Sequence, residues 1–145
     1  MAPDDTNHKI TPEELQARYE RLQKWQEDRL ETYGWYAHYT IDPETGNADH
    51  HTHGLQDYHA HKDLQITLRV PMEVASPVFA QTIDLIKKGR MFKHGDICAE
   101  IIPGFDVKFV KVYRDGNPHL RIIIPDPKGN VEKEKMELAY AAQYL

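Results

Sequence analysis

Leu15, Tyr19, Leu22 and Trp25 recur at spacings of three and four, which lays an apolar stripe along one side of a helix. Thr11-Pro12-Glu13-Glu14 supplies its start: a hydroxyl cap, proline at the first helical position and a carboxylate at the third. Gly34 supplies its stop. From Trp35 the period falls to two. Trp35, Ala37, Tyr39 and Ile41 alternate with Tyr36, His38, Thr40 and Asp42, the pattern of a half-buried strand. Asp42-Pro43-Glu44-Thr45-Gly46-Asn47 is turn chemistry, so Ala48 to His53 is expected to return as the second strand of a hairpin that Gly54 ends.

The same alternation recurs in Leu64, Ile66, Leu68 and Val70, and Pro71 closes that run. Ser76-Pro77 reads as a second helix start, with Phe79, Ile83 and Ile86 on its apolar side and Gly89 as its stop. Strands follow around 97–102, 107–113 and 120–124, with Arg114-Asp115-Gly116-Asn117 as the hairpin turn between the last two. Pro125 to Asn130 is another turn, and Val131 to Leu145 is expected to close the chain as a helix. Helix, hairpin, strand, helix, meander, helix is an α+β order rather than an alternating one. The expected architecture is a mainly antiparallel sheet of five or six strands with the helices packed on one side.

At 145 residues the chain fits one domain, read as a flexible arm over 1–10 and a single unit over 11–145. An apolar fraction of 40% against 28% charged residues is that of a globular protein. The net charge of −5 argues against a nucleic-acid partner, which needs a basic footprint. No apolar run reaches the ~20 residues that span a bilayer. Cys98 is the only cysteine, so no internal disulfide is available, and a cytoplasmic location is the expectation.

The chemistry is concentrated in one stretch. Asp49-His50-His51-Thr52-His53 and Asp57-Tyr58-His59-Ala60-His61-Lys62-Asp63 place five of the nine histidines and three aspartates in fifteen residues. Residues two apart on a strand share a face, so His51 and His53 point the same way. If Ile41 pairs with Ala48 across the turn, His38 lies opposite His51 on that face. Three imidazoles on a rigid sheet suit a divalent metal, zinc above all, with water at the open position. His59, His61 or Asp57 is a candidate further ligand from the following loop, and Asp63 a candidate acceptor that orients a ligating ring. His119 is remote in sequence.

From about Thr52 to Gly129 the chain resembles a family of small bacterial proteins defined only as a domain of unknown function. Thr52-His53-Gly54-Leu55, His61-Lys62-Asp63-Leu64, Pro71, Gly89 to Asp96 and Pro125-Asp126-Pro127-Lys128-Gly129 carry the resemblance. Lys62 stands where that family usually has proline, and His53 where it usually has an aliphatic residue. The resemblance implies the fold and supplies no reaction. It singles out His61, Asp63 and Asp96.

Two functions remain open at this point. One is metal-assisted hydrolysis, in which the metal lowers the pKa of bound water and Glu100 or Asp63 carries the proton; its partner is an unknown small molecule. The other is a non-catalytic interaction module, an immunity or regulatory partner protein, in which the acidic surface steers toward a basic protein. In that case the histidine hairpin is a solvated polar surface.

Overall fold

The computed structural model describes residues 9–145. Of the expected N-terminal arm, residues 1–8 lie outside the described part. Helix α1 (Pro12–Tyr33) begins where the cap motif predicts: the backbone N–H of Glu14 donates to Thr11 Oγ1 at 3.1 Å. It ends at Gly34, whose φ of 79° is left-handed and whose N–H donates to Leu30 O. Strands β1 (Tyr36–Ile41) and β2 (Ala48–His53) follow, then α2 (Leu55–His59), β3 (Asp63–Ile66) and α3 (Met72–Lys87). The chain continues as β4 (Ile97–Ile102), β5 (Phe105–Arg114), β6 (Asn117–Ile123) and a short α4 (Leu138–Ala141) flanked by single 3₁₀ turns.

Among the described residues the strands form one six-stranded sheet in the order β1-β2-β3-β6-β5-β4. All neighbours run antiparallel except β3 and β6. The fold is α+β, with a mainly antiparallel sheet.

Three boundaries differ from the pattern-based expectation, each for a local reason. Helix α3 starts at Met72, not at Ser76. The N–H groups of Val74 and Ala75 bond to Pro71 O, and Pro77 lies inside the helix. A proline there forfeits one backbone bond. The burial of Ala75, Phe79, Thr82, Ile83 and Ile86 holds the helix together across that defect. Strand β3 ends at Ile66 rather than Val70. The N–H of Val70 turns back to Leu68 O, and Val70 O accepts from His50 Nε2 at 2.7 Å.

The closing helix is reduced to short pieces. Asp126 accepts from the N–H groups of Lys128, Asn130 and Glu137, which pins the chain at the points where a long helix would have to run.

Alternation along the strands divides the sheet into two faces. Leu64, Ile66, Val107, Phe109, Leu120 and Ile122 meet α3 in the main core, joined by Leu55 and Phe92. On the opposite face Val110 and Ile123 pack with Met136, covered by Tyr140 and Tyr144 of the C-terminal segment. That second cluster covers only part of its face. Toward β1 and β2 the same face carries histidine, aspartate, glutamine and arginine side chains instead.

A candidate metal centre on the polar face of the hairpin

The β1–β2 register runs from Tyr36↔His53 to Ile41↔Ala48 and sets His38 directly opposite His51. Residues of one parity therefore share the polar face: His38 from β1, with His51 and His53 from β2. Their ring centroids are 5.4 Å (His38–His51), 4.7 Å (His38–His53) and 4.9 Å (His51–His53) apart. One ligand nitrogen from each lies within 4.8 Å of the other two. Zinc with Zn–N bonds of ~2.0–2.1 Å holds its nitrogens ~3.3 Å apart, so small side-chain rotations close these three rings on one ion. The three histidines could hold a metal.

Each ring has its own support. His51 is 1% exposed, and its Nδ1 lies 3.3 Å from both the backbone oxygen and Oδ1 of Asp49. Nδ1–H donates to those oxygens and Nε2 keeps its lone pair, the carboxylate–histidine arrangement that orients metal ligands. Asp49 is itself held by Gln65 Nε2 at 2.9 Å and Arg114 Nε at 3.0 Å. Burial pushes the Asp49 carboxyl up, but the bonds from His51, Gln65 and Arg114 outweigh that and hold it well below the usual carboxylate range.

His38 Nε2 lies 3.1 Å from the side-chain amide nitrogen of Gln26, which α1 brings alongside β1. Burial, and then the neighbouring His51 and Arg114, lower the His38 pKa. Burial likewise lowers His53 to about 4, with His51, His38, Arg114 and His119 adding to the shift. A depressed imidazole pKa keeps the ring neutral at physiological pH, the state a ligand needs.

The remaining candidates are not brought to this centre. His59 Nε2 bonds to Tyr33 O at the end of α1. His61 is buried on the core side, where Nδ1–H donates to Lys62 O at 2.8 Å and Nε2 accepts the N–H of Phe92 at 3.1 Å. Both ring nitrogens are used structurally, and burial lowers its pKa. Glu100 stands on β4, at the sheet edge opposite β1, exposed and paired with Arg90 at 2.6 Å.

Asp63 bonds to none of the three rings; the carboxylate beside His51 is that of Asp49. Asp63 Oδ1 accepts from Thr52 Oγ1 at 2.9 Å and Leu55 N–H at 3.1 Å. It lines, with His53, a cleft of about 390 Å³ roofed by the β5–β6 turn. Asp96, the other motif position, caps its own turn through Lys93 N–H.

Sequence reasoning missed four residues here. Asp49 had a signal, being two positions before His51 on the same strand face. Gln26, Arg114 and His119 had none, because α1 and the β5–β6 hairpin reach the site only through tertiary packing. His119, remote in sequence, shares the cleft with His53.

Among the described residues no helix is long and apolar enough to cross a membrane. The family described as "Domain of unknown function (DUF4262)" matches residues 29–124, about two thirds of the chain, and the protein belongs to it. The match takes in the hairpin, the cleft and all of the sheet. No curated protein and no solved structure matches the chain.

Proposed function

We propose that this member of the DUF4262 family binds a divalent metal, zinc by preference, through His38, His51 and His53, and that the ion supports hydrolysis of a small molecule. The observation that carries the reading is the convergence of three ligand nitrogens within 4.8 Å, with the buried ring of His51 backed by Asp49. Three imidazoles leave a zinc ion one open position for water, and a zinc-bound water ionises near pH ~7. The cleft beside His53, walled by Asp63, would give that water access to a ligand.

Thermal unfolding of protein purified without a histidine tag tests the reading. Zinc at ~100 times its Kd adds about 2.7 kcal/mol to the folded state, a rise of roughly 5–10 °C in Tm for a domain of this size. His51→Ala abolishes the rise, whereas His59→Gln, outside the triad, retains it. A flat Tm with zinc, nickel and manganese overturns the site.

The second reading, a non-catalytic interaction module, has its own observation. Leu15, Tyr19, Leu22 and Trp25 on α1 are 45–61% exposed, and the helix buries none of its residues. Failure of every metal arm moves that reading ahead.

A further inference from the structure

The cleft beside the triad has a chemistry of its own. His119 stands on β6 and pairs with Asp63 of β3 across the parallel ladder. It is 8% exposed, and its Nδ1 lies 3.3 Å from Asn117 O. A carbonyl only accepts, so Nδ1 carries the proton and Nε2 is left with a lone pair. Among the described residues Nε2 has no hydrogen-bond partner, and it is not a sealed, unsatisfied atom of the kind that His50 Nδ1 is. It therefore opens into the cleft that His119 lines.

Asp63 presents the same kind of atom. Its two hydrogen bonds both end on Oδ1; Asp63 lines the cleft, and among the described residues its Oδ2 has no hydrogen-bond or ion-pair partner. The one arginine nearby, Arg114, is engaged by Asp49 at 3.0 Å and Asp115 at 3.4 Å.

The wall thus offers two acceptors side by side, Asp63 and His119, one formally anionic, with Gln56, Asn117 and Arg114 as the donors among the other lining residues. A half-buried carboxylate without a counter-charge is costly, and a ligand that brings both N–H donors and positive charge removes that cost. A second metal ion is the weaker candidate. Asp63 and His119 belong to no group of three ligand atoms close enough to share an ion among the described residues.

The geometry points to this cleft as a binding site for a small organic ammonium, a protonated primary amine whose N–H groups donate to Asp63 Oδ2 and His119 Nε2. The site stands whether or not the triad holds metal. Combined with the proposed hydrolysis, it makes amine-bearing molecules the substrate class, docked by the ammonium with the remainder directed past His53.

The test is an NMR titration of the full chain stripped of metal, so its outcome is independent of the zinc experiments. The probes are n-butylammonium, butyramide and butyrate, isosteres of one size differing in charge. n-Butylammonium is expected to shift the signals of Gln56, Asp63, Asn117 and His119 saturably, with butyramide and butyrate at least tenfold weaker. Asp63→Asn keeps an oxygen for Thr52 and Leu55 but turns a donor toward the cleft, and weakens the amine at least tenfold. His119→Gln, read the same way, weakens it several-fold. Equal response to the three isosteres overturns the proposal. So does amine binding that Asp63→Asn leaves unchanged, which marks only diffuse attraction to an acidic surface.

Discussion

The N–H of Phe92 donates to His61 Nε2 at 3.1 Å, so the histidine that opens the motif before β3 serves the loop before β4. The two side chains also meet edge-on, with centroids 6.2 Å apart, and Phe92 stacks in turn on Phe109 at 4.3 Å. His61 is thereby a connector between the β2–β3 corner and the far half of the sheet. A neutral imidazole suits the place because it donates from one nitrogen and accepts at the other.

Removing that ring strands a buried donor. His61→Ala is expected to cost about 2–3 kcal/mol, combining an unsatisfied Phe92 N–H with lost packing. Urea unfolding measures it. The zinc-induced rise in Tm, scaled to the lower baseline, stays, because His61 lies outside the triad.

Stability of the metal-free protein should fall as the solution is acidified below pH ~6.5. His38, His50, His53 and His61 all have pKa values lowered from 6.5, foremost by burial. Between the ordinary value and the folded one, about 4 for His53, the unfolded chain takes up more protons. The stability these groups contribute is full above pH 6.5 and is lost as pH falls toward 4. Asp63 acts in the opposite sense, because burial raises its pKa. Its contribution is present below the ordinary carboxylate value and is lost as pH rises through the folded one. Urea midpoints in chelator at pH 7.5, 6 and 5 should fall monotonically, by ~1–2 kcal/mol in total after solvent screening of the part-exposed rings.

Gln26 ties α1 to the candidate centre. With metal bound, the Gln26 amide must turn so that its Oε1 accepts the N–H of the His38 nitrogen that does not ligate. Gln26→Ala removes that outer contact, whose loss typically costs 10–100-fold in metal affinity. Zinc titration of the variant should show a drop of about tenfold, with the far-UV spectrum unchanged.

Thr11→Ala tests the other end of the same helix. A lost cap costs ~1 kcal/mol of local helix stability. Leu15, Tyr19 and Leu22 stand exposed, so the first turns are uncoupled from the core. Amide exchange over residues 12–18 should quicken while the global unfolding midpoint moves by less than ~0.5 kcal/mol.

Gly54 holds the corner where α1 meets the hairpin. Its φ is +103°, and an added Cβ would stand 2.6 Å from Leu30 Cδ2 and 2.7 Å from Gly34 O. Gly54→Ala combines backbone strain with a clash against the backbone. It should destabilise by about 2–4 kcal/mol in urea and also weaken zinc binding, since the contact with α1 is what brings Gln26 to His38.

What the sequence determined by itself is local. The cap at Thr11, the stop at Gly34, the β1–β2 turn and the His38–His51 opposition all follow from side-chain period and turn chemistry within about forty residues. Register within a hairpin is set by its turn, so the triad could be read before any tertiary contact was known. Other features needed the folded sheet. Period two fits Leu64 to Val70 throughout, yet only Asp63–Ile66 joins the ladder, because His50 takes Val70 O from another strand. A histidine on a strand or corner carries no mark in sequence of whether it faces core or cleft. His61 went to the core and His119 came to the site, because β6 inserts beside β3 in parallel, a pairing between distant segments that no local pattern encodes.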